Sequence, residues 1–119
     1  MIDATLFNDV KDIYVSPDPQ GHRPTWIWFA LVDGDMYIRA GGTTSTWWQS
    51  AIQYQTGKII IENKTYAVRF QSVVEDQQLE QKILESYHER YHSKVADEGY
   101  KQPDVRLTNL KVIFIGESK

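Results

Sequence analysis

The sequence predicts a mainly β fold with some helix: a small antiparallel barrel carrying a short inserted helix and one long helix before the last strand. Three observations predict it. Apolar residues alternate with period two over several short runs, turn residues separate those runs, and one later stretch switches to helical i, i+4 spacing. The chain has 119 residues with 41% hydrophobic and 24% charged, which suits one domain over 1–119 with a core of its own. Aromatic residues reach 13%, with 4 Trp, 7 Tyr and 4 Phe, and their placement has to be explained.

The elements follow in order. Asp3 is a candidate N-cap for a short first helix with Leu6, Phe7 and Val10 on one side, and Ile2 and Phe7 are placed for a hydrophobic staple. Ser16-Pro17-Asp18-Pro19-Gln20-Gly21 reads as a loop. Thr25–Val32 is a strand apolar on both faces: Trp26, Trp28, Ala30 and Val32 on one, Ile27, Phe29 and Leu31 on the other. Such a strand belongs between two layers. Asp33-Gly34 then predicts a tight hairpin into Asp35–Ala40.

After Gly41-Gly42, Thr46 with Gln49 three residues on is a capping-box pattern, so a short helix begins there. Trp47, Trp48, Ala51 and Ile52 form its buried stripe, and Gly57 ends it. Lys58–Glu62 and Thr65–Val74 form a second hairpin around Asn63-Lys64, with Tyr66, Val68, Phe70, Ser72 and Val74 on one face. Gln77–His92 is the long helix, with Leu79, Ile83, Tyr87 and Tyr91 at i+4 steps and Asp76 as its cap. Ala96–Val105 reads as a polar loop, and Leu107–Ile115 as the closing strand. About five strands of this kind close most economically into a barrel; an open sheet with the long helix on one face is the alternative.

Composition removes several function classes. With no cysteine there is no disulfide, thiol nucleophile or thiolate metal site. A formal net charge of −3 and the lack of any Lys/Arg-rich run leave no footprint for nucleic acid. No apolar run is long enough to span a bilayer, and the opening residues do not read as a signal peptide, so the expected location is cytoplasmic.

Two motifs bear on chemistry. His88-Glu89-Arg90-Tyr91-His92 matches the helical zinc-hydrolase pattern, in which two His one turn apart bind metal and the Glu is the base. The extended pattern fails at Val95 and Glu98, no third ligand has diagnostic spacing, and the stripe through Tyr87 and Tyr91 leaves both histidines off the core face. It reads as a solvated helix end, so no metal site is expected. The better candidate is Arg39-Ala40-Gly41-Gly42-Thr43-Thr44-Ser45-Thr46, a loop with backbone donors, hydroxyls and a helix start. Arg39 is placed to hold a phosphate, Trp28 or Trp47 to stack on a flat ring, and Arg23 either faces the same pocket or lies on the surface. The alternative is an ordinary Gly-rich loop.

The stretch from Arg23 to Tyr91 resembles a small uncharacterised bacterial family of unknown function. That family is similar to the pyridoxamine-phosphate-oxidase-like split barrels and, among them, the deazaflavin-dependent nitroreductases. The matching pieces are Trp26-Ile27-Trp28, Val32-Asp33-Gly34-Asp35-Met36-Tyr37-Ile38-Arg39, Gly41-Gly42, Trp47-Trp48, Ala67-Val68, and Tyr87 with Arg90-Tyr91. The resemblance implies a small antiparallel split β-barrel of the flavin-binding type, a homodimer, and FMN or a deazaflavin as cofactor. It implicates Arg39, Gly41, Gly42, Thr43, Thr44 and Trp47 in holding that cofactor. The basic stretch that the nitroreductases carry before the first long strand is missing, and only His22-Arg23 stands there. The leading expectation is a flavin- or deazaflavin-binding oxidoreductase-like protein; a cofactor-free ligand-binding or regulatory module on the same fold is the alternative.

Overall fold

Among the described residues, seven strands form a single sheet whose two edge strands are consecutive in the chain. The computed structural model describes residues 4–18, 23–73, 76–91 and 103–118. The strands are β1 (Ile13–Pro17), β2 (Thr25–Ile27), β3 (Ala30–Val32), β4 (Asp35–Ile38), β5 (Thr56–Ile61), β6 (Lys64–Ser72) and β7 (Leu110–Ser118). Helix α1 covers Thr46–Tyr54, α2 Gln77–Tyr91 and the short α3 Pro103–Arg106, and one 3-10 turn covers Ala4–Phe7. The strand order is β2-β1-β5-β6-β7-β4-β3, and every pair is antiparallel. Trp28 and Phe29 alone separate β2 from β3, so the sheet curls until its edges meet on one segment. The sheet is therefore strongly curled, a half-barrel in which β2 and β3 stay unpaired with each other, rather than a flat open sheet with α2 on one face.

The doubly apolar strand lies between two layers, as its pattern requires. Ile27 and Phe29 are buried in the barrel interior and Leu31 packs against it, with Val15, Met36, Ile59, Val68, Phe70 and Val112. Ala30 and Val32 face the other way, against Ile83 and Tyr87 of α2, with Trp28, Leu79 and Tyr91 alongside. Burying an aliphatic or aromatic side chain of this kind contributes about 1.5–3 kcal/mol, so each face holds its layer independently. The alternation continues through Trp28 and Phe29 although the pairing changes partner there, which splits the expected single strand into β2 and β3.

Several local expectations are corrected. The first helix is a 3-10 turn in which Phe7 is buried and Leu6 exposed; Ile2 and Asp3 lie outside the described residues. Ser16-Pro17 ends a strand, β1, which pairs with both β2 and β5. Proline is tolerated at that strand end because the next donor of the ladder to β5 is the Asp18 N–H, which reaches the Thr56 carbonyl at 3.0 Å. Asp33 and Gly34 do form the tight turn, with φ 51° and 86°. The second turn is one residue earlier than predicted, at Glu62 and Asn63 with φ 49° and 71°, so Lys64 begins β6 and pairs with Ile61. Val74 lies outside the described residues.

Ser45, not Thr46, is the N-cap residue of α1, and its side chain makes no capping bond. Gln49 instead donates from Nε2 to the Thr43 carbonyl at 3.0 Å. Trp47 and Ala51 are buried as expected, whereas Ile52 is exposed. Gln55, at φ 60°, ends the helix, and Gly57 lies inside β5. There a Cβ would come within 2.7 Å of the Pro17 Cα, 2.8 Å of the Ser16 carbonyl oxygen and 2.9 Å of the Phe70 ring. Glycine at 57 therefore lets β1 approach β5. In α2, Asp76 caps as predicted, its carboxylate accepting from the Leu79 N–H at 2.9 Å. Pro103–Arg106 is helical rather than the end of a loop, and β7 starts at Leu110 because Thr108 and Asn109 are bonded elsewhere.

Candidate functional site

The strand that kinks at Trp28, the loop after β4 and the first turn of α1 converge on one cavity of about 330 Å³. Thr25, Trp26, Ile27 and Trp28 line it on one side, Arg39, Ala40 and Gly41 on another, and Trp47 on a third. The wall is aromatic because alternation and helix start bring three indoles to one place. Trp26 and Trp28 lie at i and i+2 on the same strand face, 6.1 Å apart edge to face. Trp26 is 52% exposed and forms the rim, while Trp47 is buried.

Trp28 is held rigidly. It stacks on Tyr91 with ring centroids 4.1 Å apart and an interplanar angle of 6°. The Tyr91 hydroxyl donates to the Lys11 carbonyl at 2.6 Å and accepts from the Phe29 N–H at 3.1 Å, which satisfies the backbone where the strand breaks. Burial pushes the Tyr91 phenol above its ordinary value, against the lowering by its bond to Phe29 and by Arg90. Arg90 reaches from the same helix end to the Asn8 carbonyl at 3.0 Å and to the Val10 carbonyl, and stacks 4.2 Å over the Phe29 ring. The last turn of α2 thus pins the N-terminal segment and the strand break together.

The predicted phosphate holders are placed differently from the expectation. The Arg39 side chain has no exposed surface: its Nη2 donates to both oxygens of Glu80, at 2.6 Å to Oε2, and its Nε donates to Asn109 Oδ1 at 2.6 Å. Asn109 also donates from Nδ2 to Glu80, closing a buried triangle of three side chains. Arg39 therefore contributes the cavity wall and fixes the loop to α2, with its charge matched by a carboxylate. Thr43 is committed as well: its N–H donates to Asp104 Oδ2 at 3.0 Å and its hydroxyl to Asp104 Oδ1 at 2.7 Å. Thr108 ties the stretch between, accepting from the Ala40 N–H at 2.8 Å while donating to the Val105 carbonyl at 2.6 Å.

Of the eight residues singled out in the sequence, Trp28, Arg39, Gly41 and Trp47 line the cavity. Gly42 and Thr43 face Asp104, and Thr44 and Arg23 are exposed and outside the lining. Sequence reasoning missed Glu80, Asp104, Thr108, Asn109 and the role of Tyr91. A signal existed for Glu80, which sits three and seven residues before Ile83 and Tyr87 and so puts a carboxylate on the buried stripe. Of the zinc pattern, His88 and Glu89 are exposed on α2, and His92 lies outside the described residues.

A profile for a family described as "Uncharacterized protein conserved in bacteria (DUF2255)" matches residues 3–112. No curated protein matches the chain. Several solved structures share its fold. A conserved hypothetical protein of Mycobacterium tuberculosis superposes with TM-score 0.67 at 13% identity, covering 98% of this chain and 81% of its own. A putative pyridoxamine 5'-phosphate oxidase from Listeria innocua gives TM-score 0.63 at 11% identity, with 96% and 90% covered. HutZ, the heme storage protein of Vibrio cholerae, gives 0.67 at 11% identity, with 97% and 88% covered. At such identities the likeness establishes the fold, a split barrel of the pyridoxamine-phosphate-oxidase-like kind with two main helices. No helix among the described residues is long and apolar enough to cross a membrane.

Proposed function

The chain belongs to the bacterial family DUF2255, and for this member of it we propose that the cavity walled by Trp26, Trp28 and Trp47 binds a planar aromatic ligand of the flavin-ring class. The observation that carries the reading is the prepared indole wall: a half-exposed rim, a stacked and hydrogen-bonded Trp28, and a buried Trp47 around one hollow. A volume of about 330 Å³ lies at the small end for ligand pockets and suits a tricyclic ring rather than a tetrapyrrole. Haem, which the name of one structural neighbour raises, also needs an axial ligand. Among the described residues, the lining holds no His, Cys, Met or Tyr.

FMN and deazaflavin cofactors fit in part. The ring half matches the indole walls; the phosphate half finds Arg39 already ion-paired and Thr43 already bonded to a carboxylate. A flavin ring supplies hydride and electron transfer when bound, and the chain's own contribution is to orient the ring and shield it from water. None of the described lining residues is placed as an acid or base, so oxidoreductase activity on this reading comes from the ligand. Riboflavin titrated into the protein is expected to quench tryptophan fluorescence saturably. Trp47→Leu should weaken that binding by about 3- to 10-fold, the worth of one aromatic contact. Unsaturable quenching, identical in Trp47→Leu, would remove the proposal.

We further propose that a second copy of the chain covers the outer face of β7. Ile113 and Ile115 point outward there, Ile115 at 61% exposure, and Ile52 of α1 joins Ile113 around a shallow hollow. Contiguous apolar surface of this kind marks association. Light scattering should give twice the chain mass, and Ile115→Lys should shift the protein toward monomer; a wild-type monomer at high concentration contradicts it.

A further inference from the structure

Taking the ring-binding reading above as its basis, we infer that Asp104 makes the site select an uncharged planar ring over the same ring bearing a phosphate. The loop between the cavity and α1 does present an anion cradle. Its elements are the Thr43 N–H and the Thr43 hydroxyl, two residues along the chain from the lining residue Gly41. Both donors are met by the two oxygens of one carboxylate, Asp104, at 3.0 and 2.7 Å. Two donors facing two oxygens is the arrangement a bound phosphate or carboxylate would take. Here the chain supplies that anion itself.

The backbone is shaped for this occupant. A Cβ at Gly42 would run into the Asp104 carboxylate, so glycine at 42 makes room for it. Asp104 is carried on α3, and the chain just beyond α3 is bolted to the same loop by Thr108 to Ala40 and by Asn109 to Arg39. The carboxylate is thus delivered by a segment fixed at several points. Arg39, the one cation among the described lining residues, offers no compensation, because it is enclosed and ion-paired with Glu80. A phosphate, carrying about 1.5 to 2 negative charges at pH 7, would have to displace Asp104 and lie beside it. The ligand class is therefore a neutral, planar, aromatic molecule, with any side arm uncharged.

Riboflavin and FMN test this, since they share a ring and differ by the phosphate. Tryptophan quenching in the wild-type protein should show riboflavin binding about 5-fold tighter or more than FMN. In Asp104→Ala the gap should close, with FMN gaining about 5-fold while riboflavin stays within about 2-fold, because Asp104 does not line the ring cavity. Asp104→Asn keeps the shape and removes the charge; it should move the ratio the same way and carries the test should the alanine variant fail to fold. FMN binding tighter than riboflavin in the wild type overturns the inference and leaves the ring-binding reading standing. An unchanged ratio in both variants also overturns it. Saturable quenching by neither compound overturns the reading and the inference together.

Discussion

Arg39→Leu is expected to cost about 3–5 kcal/mol of folding stability, the usual consequence of leaving a buried charge without its partner. Among the described residues, the Glu80 carboxylate would keep the Asn109 amide as its side-chain donor, in a site where the Arg39 side chain has no solvent contact and Glu80 little. Set against typical total stabilities of about 5–15 kcal/mol, that loss should be plain in urea or thermal unfolding. The double change Arg39→Leu with Glu80→Leu should recover much of it, because replacing both partners by apolar groups removes the desolvation cost together with the attraction. Arg39→Lys should fall between, since an ammonium keeps the charge but cannot reproduce the fork that meets Glu80 and Asn109 together. A single variant as stable as the wild type would mean that the triangle does not hold the loop.

Trp28→Ala is expected to act on stability and on binding at once. It removes the partner of the Tyr91 ring and opens a void between the strand break and α2, at a cost of about 2–3 kcal/mol for a half-buried indole. It also deletes one wall of the cavity, so riboflavin affinity should drop by about 10-fold or more. Trp26→Ala separates the two effects. Its ring is 52% exposed at the rim, so stability should change little while binding still weakens. Loss of stability in Trp28→Ala with riboflavin affinity retained would assign the indole to packing alone.

The barrel and both packed layers were legible because they rest on local alternation and helical spacing. Trp28, Ala30 and Val32 against Ile27, Phe29 and Leu31 announced a strand between two layers, and Leu79, Ile83 and Tyr87 announced the helix that covers it. Asp33-Gly34 and Asp76 carried their own turn and cap chemistry. Short or atypical pieces were not legible. β1 is five residues ending in proline, and the Glu62–Asn63 turn puts a glutamate at positive φ where glycine or asparagine is the usual signal.

At the candidate site the sequence brought the right neighbourhood and the wrong employment. Trp28, Arg39, Gly41 and Trp47 do converge, yet a loop with an arginine and hydroxyls reads as a phosphate cradle only until tertiary contacts are counted. The partners that occupy its donors, Glu80, Asp104 and Asn109, lie 41, 61 and 70 residues away from the groups they bind. No local pattern records such pairings, although a carboxylate on the stripe of α2 was a fair hint that a buried cation existed.

The four tryptophans give the most direct test of the ring-binding claim, because each contributes one indole N–H resonance. Riboflavin added to the isotope-labelled protein should shift the indole signals of Trp26, Trp28 and Trp47 along saturating curves with a common dissociation constant. Trp48, which packs against the barrel core and does not line the cavity, should stay where it is. Signals that remain unmoved, or a shift confined to Trp48, would contradict the account.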